Sequence, residues 1–454
     1  MRAERSRQAA TVAERLRTEG VSMVALCWVD NAGVTRVKAI PLSRLERAAG
    51  WGVGASPVFD VFLVNDEITT SSHIGGPVGD LRLIPDVDRI VVLAGQLGWA
   101  WAPADRYTQE GRVHAACQRS FARRATAEAL ARGVELRMSF ETEWTIGTDD
   151  QGRFVPACEG PAYGMTRVIE LSDYSREIVS ALEREGVVVE QFHPEYAPGQ
   201  LEVSVAPSDP VAAADTSVLV RQTIRAVSSQ FGMRVSFAPS VVAGAVGNGA
   251  HVHLSIWREN HNLFAGGPGR YGLTQEGESF AAGILSALPE LSAIGMPSAA
   301  SYLRLVPSHW AGAFQCWGLE NREAAMRLVT GSAGEHDVRA NFEVKCFDGA
   351  ANPYLVVGSL IAAGLVGVQA GACLPAEVNG DPGSWSERDL SSHGVSRLPR
   401  TLGEAVSYLE SSHLLRQTMG DALFEAILAV RRGEIGLFAD ADAQEISART
   451  RWQW

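Results

Sequence analysis

Residues 138–146 read MSFETEWTI, and the glutamates at positions 141 and 143 decide how the segment is understood. As a strand it alternates faces, with Phe140, Thr142 and Trp144 on one side and Glu141 and Glu143 on the other. Alone, two glutamates at this spacing are ordinarily a solvated face. Three further segments repeat the pattern, however. GQLEVSV (199–205) carries Glu202 shortly after Glu195 in FHPEYAPG (192–199). AHVHLSIW (250–257) puts His251, His253 and Ser255 on one face, and NFEVKCF (341–347) pairs Glu343 with Lys345 opposite Phe342 and Val344. In each strand one face can serve a core while the other lines a cavity with carboxylates and imidazoles.

Five carboxylates converging on one cavity repel one another unless cations sit between them. Glu141, Glu143, Glu195, Glu202 and Glu343 with His251 form an oxygen-rich set that suits Mg²⁺ or Mn²⁺ rather than zinc. The donors exceed what one ion needs, which points to two or three ions and to phosphoryl transfer. No G-x-x-x-x-G-K-[ST] sequence occurs, so a nucleotide has to be held by metals and arginines. Arg304, Arg322 and Arg327 supply the second element. Arg322 and Arg327 are five apart, so a turn between them is needed to aim both into one site; surface ion pairs are the plainer alternative.

The rest of the chain sets bounds. With 454 residues, two domains are expected. VSMVALCWVDNAGVTRVKAIPL (21–42) reads as two strands joined at Asp30–Gly33, and DLRLIPDVDRIVVLAG (80–95) as further strands after a short helix. This predicts an N-terminal α+β domain over 1–110 and a larger domain over 111–454. PYLVVGSLIAAGLVGVQAGACL (353–374) is apolar but interrupted by small residues, and is expected to be a buried helix rather than a membrane span. The first twenty residues form a charged helix with no apolar leader, and the six cysteines lack metal-site spacing. Both features predict a cytoplasmic protein with reduced thiols. A net charge of −12 argues against nucleic acid and leaves room for a cationic substrate. The C-terminal LFADADAQEISARTRWQW (437–454) reads as an amphipathic helix with no role beyond packing against a neighbour.

Eight motifs follow one another in a fixed order: VDNAGVTRVK, GDLRLIPD, ETEW, EQFHPEYAPGQLE, GNGAHVHLS, SYLRLVP, ENREAAMR and FEVKCFDGAANPYL. Together they resemble the glutamine synthetase family. The resemblance implies an α+β fold, with an N-terminal β-grasp domain and a catalytic domain built on a curved antiparallel sheet. It also implies ATP and glutamate as substrates and a homo-oligomeric ring, commonly a dodecamer of two stacked hexamers with active sites between subunits. By resemblance, Glu143, Glu195 and Glu202 hold the metal nearer glutamate, and Glu141, His251 and Glu343 the metal nearer the phosphates. Glu190, His253 and Ser255 lie against the nucleotide, with Arg327 and Asn341 on the same side. Arg304 grips the α-carboxylate of glutamate, Gly247 meets its amino end, and Lys345 borders the same pocket. Arg322 and Arg327 face the transferring phosphate, and Glu195 stays near the attacking amine with Tyr163.

The chain departs from glutamine synthetases on the amine side. WGVGASPVFDVF (51–62) stands where FDGSS is usual, with no Asp at that place, and PSHW (307–310) puts Trp310 where a Glu guards ammonium. Val246 replaces a common Asn, Asn341 and Lys345 replace two arginines, and HGVSRLP (393–399) lacks the Tyr used for adenylylation. GASPVF, EQFHPEY and CWGLENREAA look like the actinobacterial γ-glutamylpolyamine synthetases. That likeness implies ligation of glutamate to putrescine, cadaverine, spermidine or spermine. Another small amine such as ethanolamine, ammonia itself, and a non-catalytic regulatory paralogue remain as alternatives.

Overall fold

The structure is a computed structural model that describes residues 2–454. Its first helix, Arg2–Thr18, buries Ala9, Ala13 and Leu16, which share one face at helical spacing. That face packs on the helix Leu45–Trp51. Strands β1 (Met23–Val29), β2 (Thr35–Pro41), β3 (Val53–Ala55), β4 (Leu81–Pro85), β5 (Val91–Val92) and β6 (Trp99–Thr108) make the first sheet. Its order is β2–β1–β6–β4–β3, with β5 added to β6. The β1–β2 hairpin turns where Asp30 accepts from the N–H groups of Ala32 and Val34 at 3.0 and 2.9 Å. The central strand β6 escaped the sequence reading because Pro103 lies within it, and proline ordinarily marks an edge. Here the Pro103 carbonyl still accepts from Asp86 N–H.

Two more sheets follow. The strands are β7 (Glu135–Phe140), β8 (Thr142–Asp150), β9 (Arg153–Pro156), β10 (Val189–Pro194), β11 (Gln200–Val205) and β12 (Arg234–Ser236). They continue with β13 (Val252–Arg258), β14 (His261–Asn262), β15 (Phe314–Leu319), β16 (Ala324–Val329), β17 (Asn341–Val344) and β18 (Ser396–Arg397). The five-stranded sheet runs β10–β11–β8–β12 with β9 on β8, all antiparallel. The seven-stranded sheet runs β14–β13–β17–β16–β15–β18 with β7 on β13, and only its β15–β16 pair is parallel. The sheets form a curled half-barrel, joined where β7 gives way to β8.

That junction corrects the simplest reading of MSFETEWTI. Glu141 and Glu143 do not share one uninterrupted strand: β7 pairs with β13, whereas β8 pairs with β11, and Glu141 occupies the switch between them. Its N–H is satisfied by the His251 carbonyl at 3.0 Å.

Behind the sheets, helix Pro353–Ala370 packs on Gln275–Gly295 and Gln118–Ala131. It alone among the described helices is long and apolar enough to cross a membrane, and 78% of it is buried inside the fold. Asn352 explains the ANPYL motif physically. Its Oδ1 accepts from Tyr354 and Leu355 N–H, capping the helix, while its Nδ2 donates to the Val29 and Asp30 carbonyls at 3.0 Å. The Asp30–Gly33 turn also receives Arg431 on the Asn31 carbonyl and the Trp454 indole N–H on the Ala32 carbonyl. The C-terminus therefore tucks into its own chain. Trp454 is 1% exposed, and the predicted helix runs over Ala443–Thr450.

Candidate active site

Strand register lines up the ionisable side chains. Across the five-stranded sheet His193 stands opposite Glu202, and Glu202 opposite Glu143. Across the seven-stranded sheet His253 stands opposite Glu343, and Glu343 opposite Arg327. Directly opposed partners share a face, so each sheet contributes one charged row. His251, just before β13, joins the rows: its Nδ1 lies 3.0 Å from Glu141 and 3.4 Å from Glu343, and its Nε2 3.6 Å from Glu143.

Glycines make room at this meeting point. A Cβ on Gly249 would fall 2.6 Å from His251 Nε2 and 2.7 Å from an Arg304 nitrogen. One on Gly247 would meet the Pro239 carbonyl at 1.8 Å. Gln200 and the Gly249 N–H both donate to Glu143 Oε2, at 3.0 and 2.9 Å, and Gln200 also reaches the Gly247 carbonyl. Arg304 donates to the Cys346 and Lys345 carbonyls at 3.2 Å, which holds its guanidinium against the cavity wall.

The electrostatics are uneven. Burial raises the Glu343 carboxyl, but the charges of Lys345, at 2.8 Å, and of both histidines outweigh it, so its pKa falls to about 2. Burial and the neighbouring Glu141 push Glu202 up to about 8 despite the His193 hydrogen bond. That bond raises His193 to about 9. Burial opposes protonation of His253, yet Glu141 lifts it to about 9. Burial and the Glu143 charge raise Glu195, and burial together with Glu195 raises the Tyr163 phenol. Tyr163 donates to both Glu195 oxygens at 2.8 and 2.9 Å.

These groups border a cavity of about 810 Å³. Thirteen of the candidate residues line it: Glu141, Glu143, Tyr163, Glu195, Glu202, Gly247, His251, Arg304, Trp310, Arg322, Arg327, Glu343 and Lys345. Four nucleotide-side candidates do not. His253 faces Asn341 at 2.8 Å, Ser255 accepts from the Trp257 indole at 2.8 Å, and Glu190 lies 4.0 Å from Arg339. The candidate ligands also group differently from the order implied by the resemblance. Donor atoms of His193, Glu195 and Glu202 lie within 4.8 Å of one another, as do those of Glu141, Glu202 and His251, and of Glu141, His253 and Glu343. His193 enters the first group because β10 sets it opposite Glu202, while Glu143 Oε2 is already engaged by Gln200 and Gly249. Sequence reasoning missed His193 and Gln200, although His193 precedes Glu195 by two residues, the same spacing that singled out Glu141 and Glu143. This carboxylate and imidazole donor set fits hard divalent cations.

The far end of the cavity is aromatic. Trp310 is 49% exposed and adopts φ 55°, a left-handed conformation that a bulky residue keeps only when its surroundings enforce it. Its N–H donates to Glu323 Oε1 at 2.7 Å. Its ring meets Tyr196 edge-on at 6.2 Å, and Arg322 lies 5.9 Å from the ring centre. Tyr196 in turn meets Tyr163 at 6.3 Å, and Tyr163 meets His193 at 5.5 Å.

Comparison with known proteins adds a second line. The glutamine synthetase N-terminal domain model matches residues 8–115, and the glutamine synthetase catalytic domain model matches 115–448. A gamma-glutamylpolyamine synthetase, GlnA3 of Streptomyces coelicolor, is 53% identical over 450 residues, covering 98% of this chain and 97% of its own. A glutamine synthetase of Clostridium saccharobutylicum is 28% identical, covering 92% and 93%. Among solved structures, a novel glutamine synthase homologue superposes with a TM-score of 0.85 at 32% identity, covering 96% of this chain and 99% of its own. GmaS in complex with ADP gives 0.83 at 26% identity, covering 95% and 97%. Enzymes of this family use ATP and divalent metals, act on small molecules and are typically oligomeric. With both domain models matched in sequence and the carboxylate cage assembled between two sheets, the chain belongs to the glutamine synthetase family.

Proposed function

We propose that this chain is an ATP-dependent ligase that joins the γ-carboxylate of glutamate to an amine of a polyamine through γ-glutamyl phosphate. The observation that carries it is the amine end of the cavity, where Tyr163, Tyr196 and Trp310 form an aromatic row beside an intact carboxylate cage. An alkylammonium chain gains roughly 0.5–2 kcal/mol from such a face. The 53% identical gamma-glutamylpolyamine synthetase supports the same substrate class.

In this proposal residues 1–110 form the β-grasp domain and 111–454 the catalytic domain. The cage groups of Glu141, Glu143, Glu195, Glu202, His193, His251 and Glu343 would hold two or three Mg²⁺ or Mn²⁺ ions. Bound divalent cations would supply charge neutralisation at the γ-phosphate oxygens. Arg304 binds the α-carboxylate of glutamate and, with Lys345, orients the γ-carboxylate. Arg322 and Arg327 face the transferring phosphate, and Glu343 and Glu320 hold the Arg327 guanidinium in place. The γ-carboxylate oxygen attacks the γ-phosphorus and ADP leaves. The amine nitrogen then attacks the acyl carbon and phosphate leaves. The amine arrives protonated, with an ordinary pKa of about 10.4, so a proton must be removed before attack. The Glu195 oxygen left free of a bound cation, oriented by the Tyr163 hydroxyl, accepts it. Glu190, His253, Ser255 and Asn341 flank the nucleotide, with His253 and Asn341 continuing the charged row of Glu343. The enzyme works in the cytoplasm as a dodecamer of stacked hexamers, in polyamine utilisation or detoxification.

The test is phosphate release with glutamate, ATP and Mg²⁺ against a panel of amines. Spermidine or putrescine is expected to far exceed ammonium and ethanolamine; equal rates with ammonium would return the chain to the glutamine synthetases. In Trp310→Glu, kcat/KM for the polyamine is expected to fall roughly 2- to 30-fold, matching loss of the aromatic face. Ammonium turnover should rise relative to it. An unaltered ratio of polyamine to ammonium turnover would remove Trp310 from the amine pocket.

A further inference from the structure

Beyond Trp310 lies a second, open cavity of about 380 Å³ that shares Trp310 and Arg322 with the main one. Glu320, Glu323, Asn321 and Asn379 line it. Glu323 is only 6% exposed, and one of its carboxylate oxygens, Oε2, is buried with no hydrogen-bond partner. The other accepts from the Trp310 N–H. A buried, half-satisfied carboxylate is costly, so such a group needs an explanation. No arginine or lysine forms an ion pair with Glu323 among the described residues. Arg322 and Glu320 line the same cavity, and the charges that act on the Glu323 carboxyl are Asp381, which adds to the negative potential, and the His309 imidazole. Burial and Asp381 accordingly hold its pKa above the usual carboxylate range.

We propose that Glu323 anchors the distal ammonium group of a long polyamine whose reacting amine lies at Glu195. The inference rests on the polyamine reading above and specifies the length of chain that the site selects. The aromatic row supplies the path: Tyr163 bonds to Glu195, Tyr196 follows at 6.3 Å, Trp310 at a further 6.2 Å, and the Trp310 backbone touches Glu323. Extended chains reach roughly 1.2 Å per bond, so putrescine spans about 6 Å and spermidine about 11 Å between terminal nitrogens. Putrescine covers about one ring-to-ring step, whereas spermidine covers nearly two. Glu323 therefore favours triamines and tetramines over diamines, and the aromatic faces carry the methylene segments between charges.

The discriminating variant is Glu323→Gln, which keeps an oxygen for the Trp310 N–H and removes only the charge. The measurement is kcat/KM for spermidine, putrescine and butylamine, an amine of similar girth without a distal charge. In the wild type spermidine should exceed butylamine strongly. In E323Q that ratio is expected to collapse by about 30-fold or more, mainly through KM for spermidine, as for loss of one partner of a buried charge pair. Glu323→Asp should restore part of it. An equal fall for spermidine and butylamine would mean that Glu323 merely braces the Trp310 loop, and would overturn the proposal, as would an unchanged ratio. Wild-type turnover of ammonium with none of any polyamine would overturn both the anchor and the reading beneath it, whereas wild-type polyamine turnover with an insensitive E323Q overturns the anchor alone.

Discussion

Replacing Glu202 with glutamine is expected to cut amine-dependent phosphate release by roughly 10³-fold, since a charge-stabilising contact worth several kcal/mol is lost. The same change should raise the melting temperature of the metal-free protein near about pH 8.5, by at least about 1 °C. The two effects have one cause. Glu202 is buried, directly opposite Glu143 and close to Glu141, so without a cation its ionised form is unfavourable and its pKa rises to about 8. A carboxyl whose folded pKa lies above its unfolded value adds stability below the unfolded value, and that stability is lost as pH rises through the folded one. His193, raised to about 9 by the same pair, behaves alike: its contribution is full below its unfolded pKa and disappears through about 9. The metal-free wild type should therefore lose stability on going from about pH 6 to pH 9, and the variant should lose less. Mg²⁺ should restore the wild type more than the variant, because only the wild type offers the full donor set. Calorimetric melts of both proteins with and without Mg²⁺ read all of this. A variant that melts below the wild type at high pH, or retains turnover, would contradict the cage.

Arg304→Lys is expected to raise KM for glutamate about 100-fold with a smaller fall in kcat, a loss of about 2–3 kcal/mol. Arg304 is 8% exposed, and two of its nitrogens are tied to the Cys346 and Lys345 carbonyls while the group borders the cavity. A lysine keeps the charge but cannot fork between those carbonyls and a carboxylate, so the substrate loses its bidentate partner. Initial rates over a wide glutamate range separate the two constants. A fall in kcat alone would instead assign Arg304 to the phosphate. KM for ATP should hardly move, since Glu190, Ser255 and Asn341 lie outside the cavity lining to which Arg304 belongs.

Much of this is legible in the sequence alone. The alternation of charged and apolar residues in ETEW, GQLEVSV, AHVHLSIW and NFEVKCF marked strands with one wet face, and the structure places all four at one cavity. Side chains two apart on a strand share a face whatever surrounds them, so that inference needed no tertiary knowledge. The apolar helix at 353–370 and the hairpin at Asp30–Gly33 were equally plain. Strand β6 was not, because Pro103 reads as a breaker while the neighbouring strands tolerate it. His193 and Gln200 were passed over because their roles depend on which strand lies opposite.

The sequence by itself therefore determined the chemistry: a carboxylate cage, arginines for anionic groups, and an aromatic residue where a guarding acid is usual. Local periodicity and residue type suffice for the carboxylates and arginines, whereas the place of Trp310 comes from the resemblance to glutamine synthetases. Only the tertiary structure decided how the donors group, where Glu141 switches sheets, that the C-terminal Trp454 closes on the Ala32 carbonyl of its own chain, and that Glu323 lies buried behind Trp310. Each of these depends on contacts between residues far apart in sequence. Register between strands and burial against distant loops are properties of the packed chain, and no local pattern carries them.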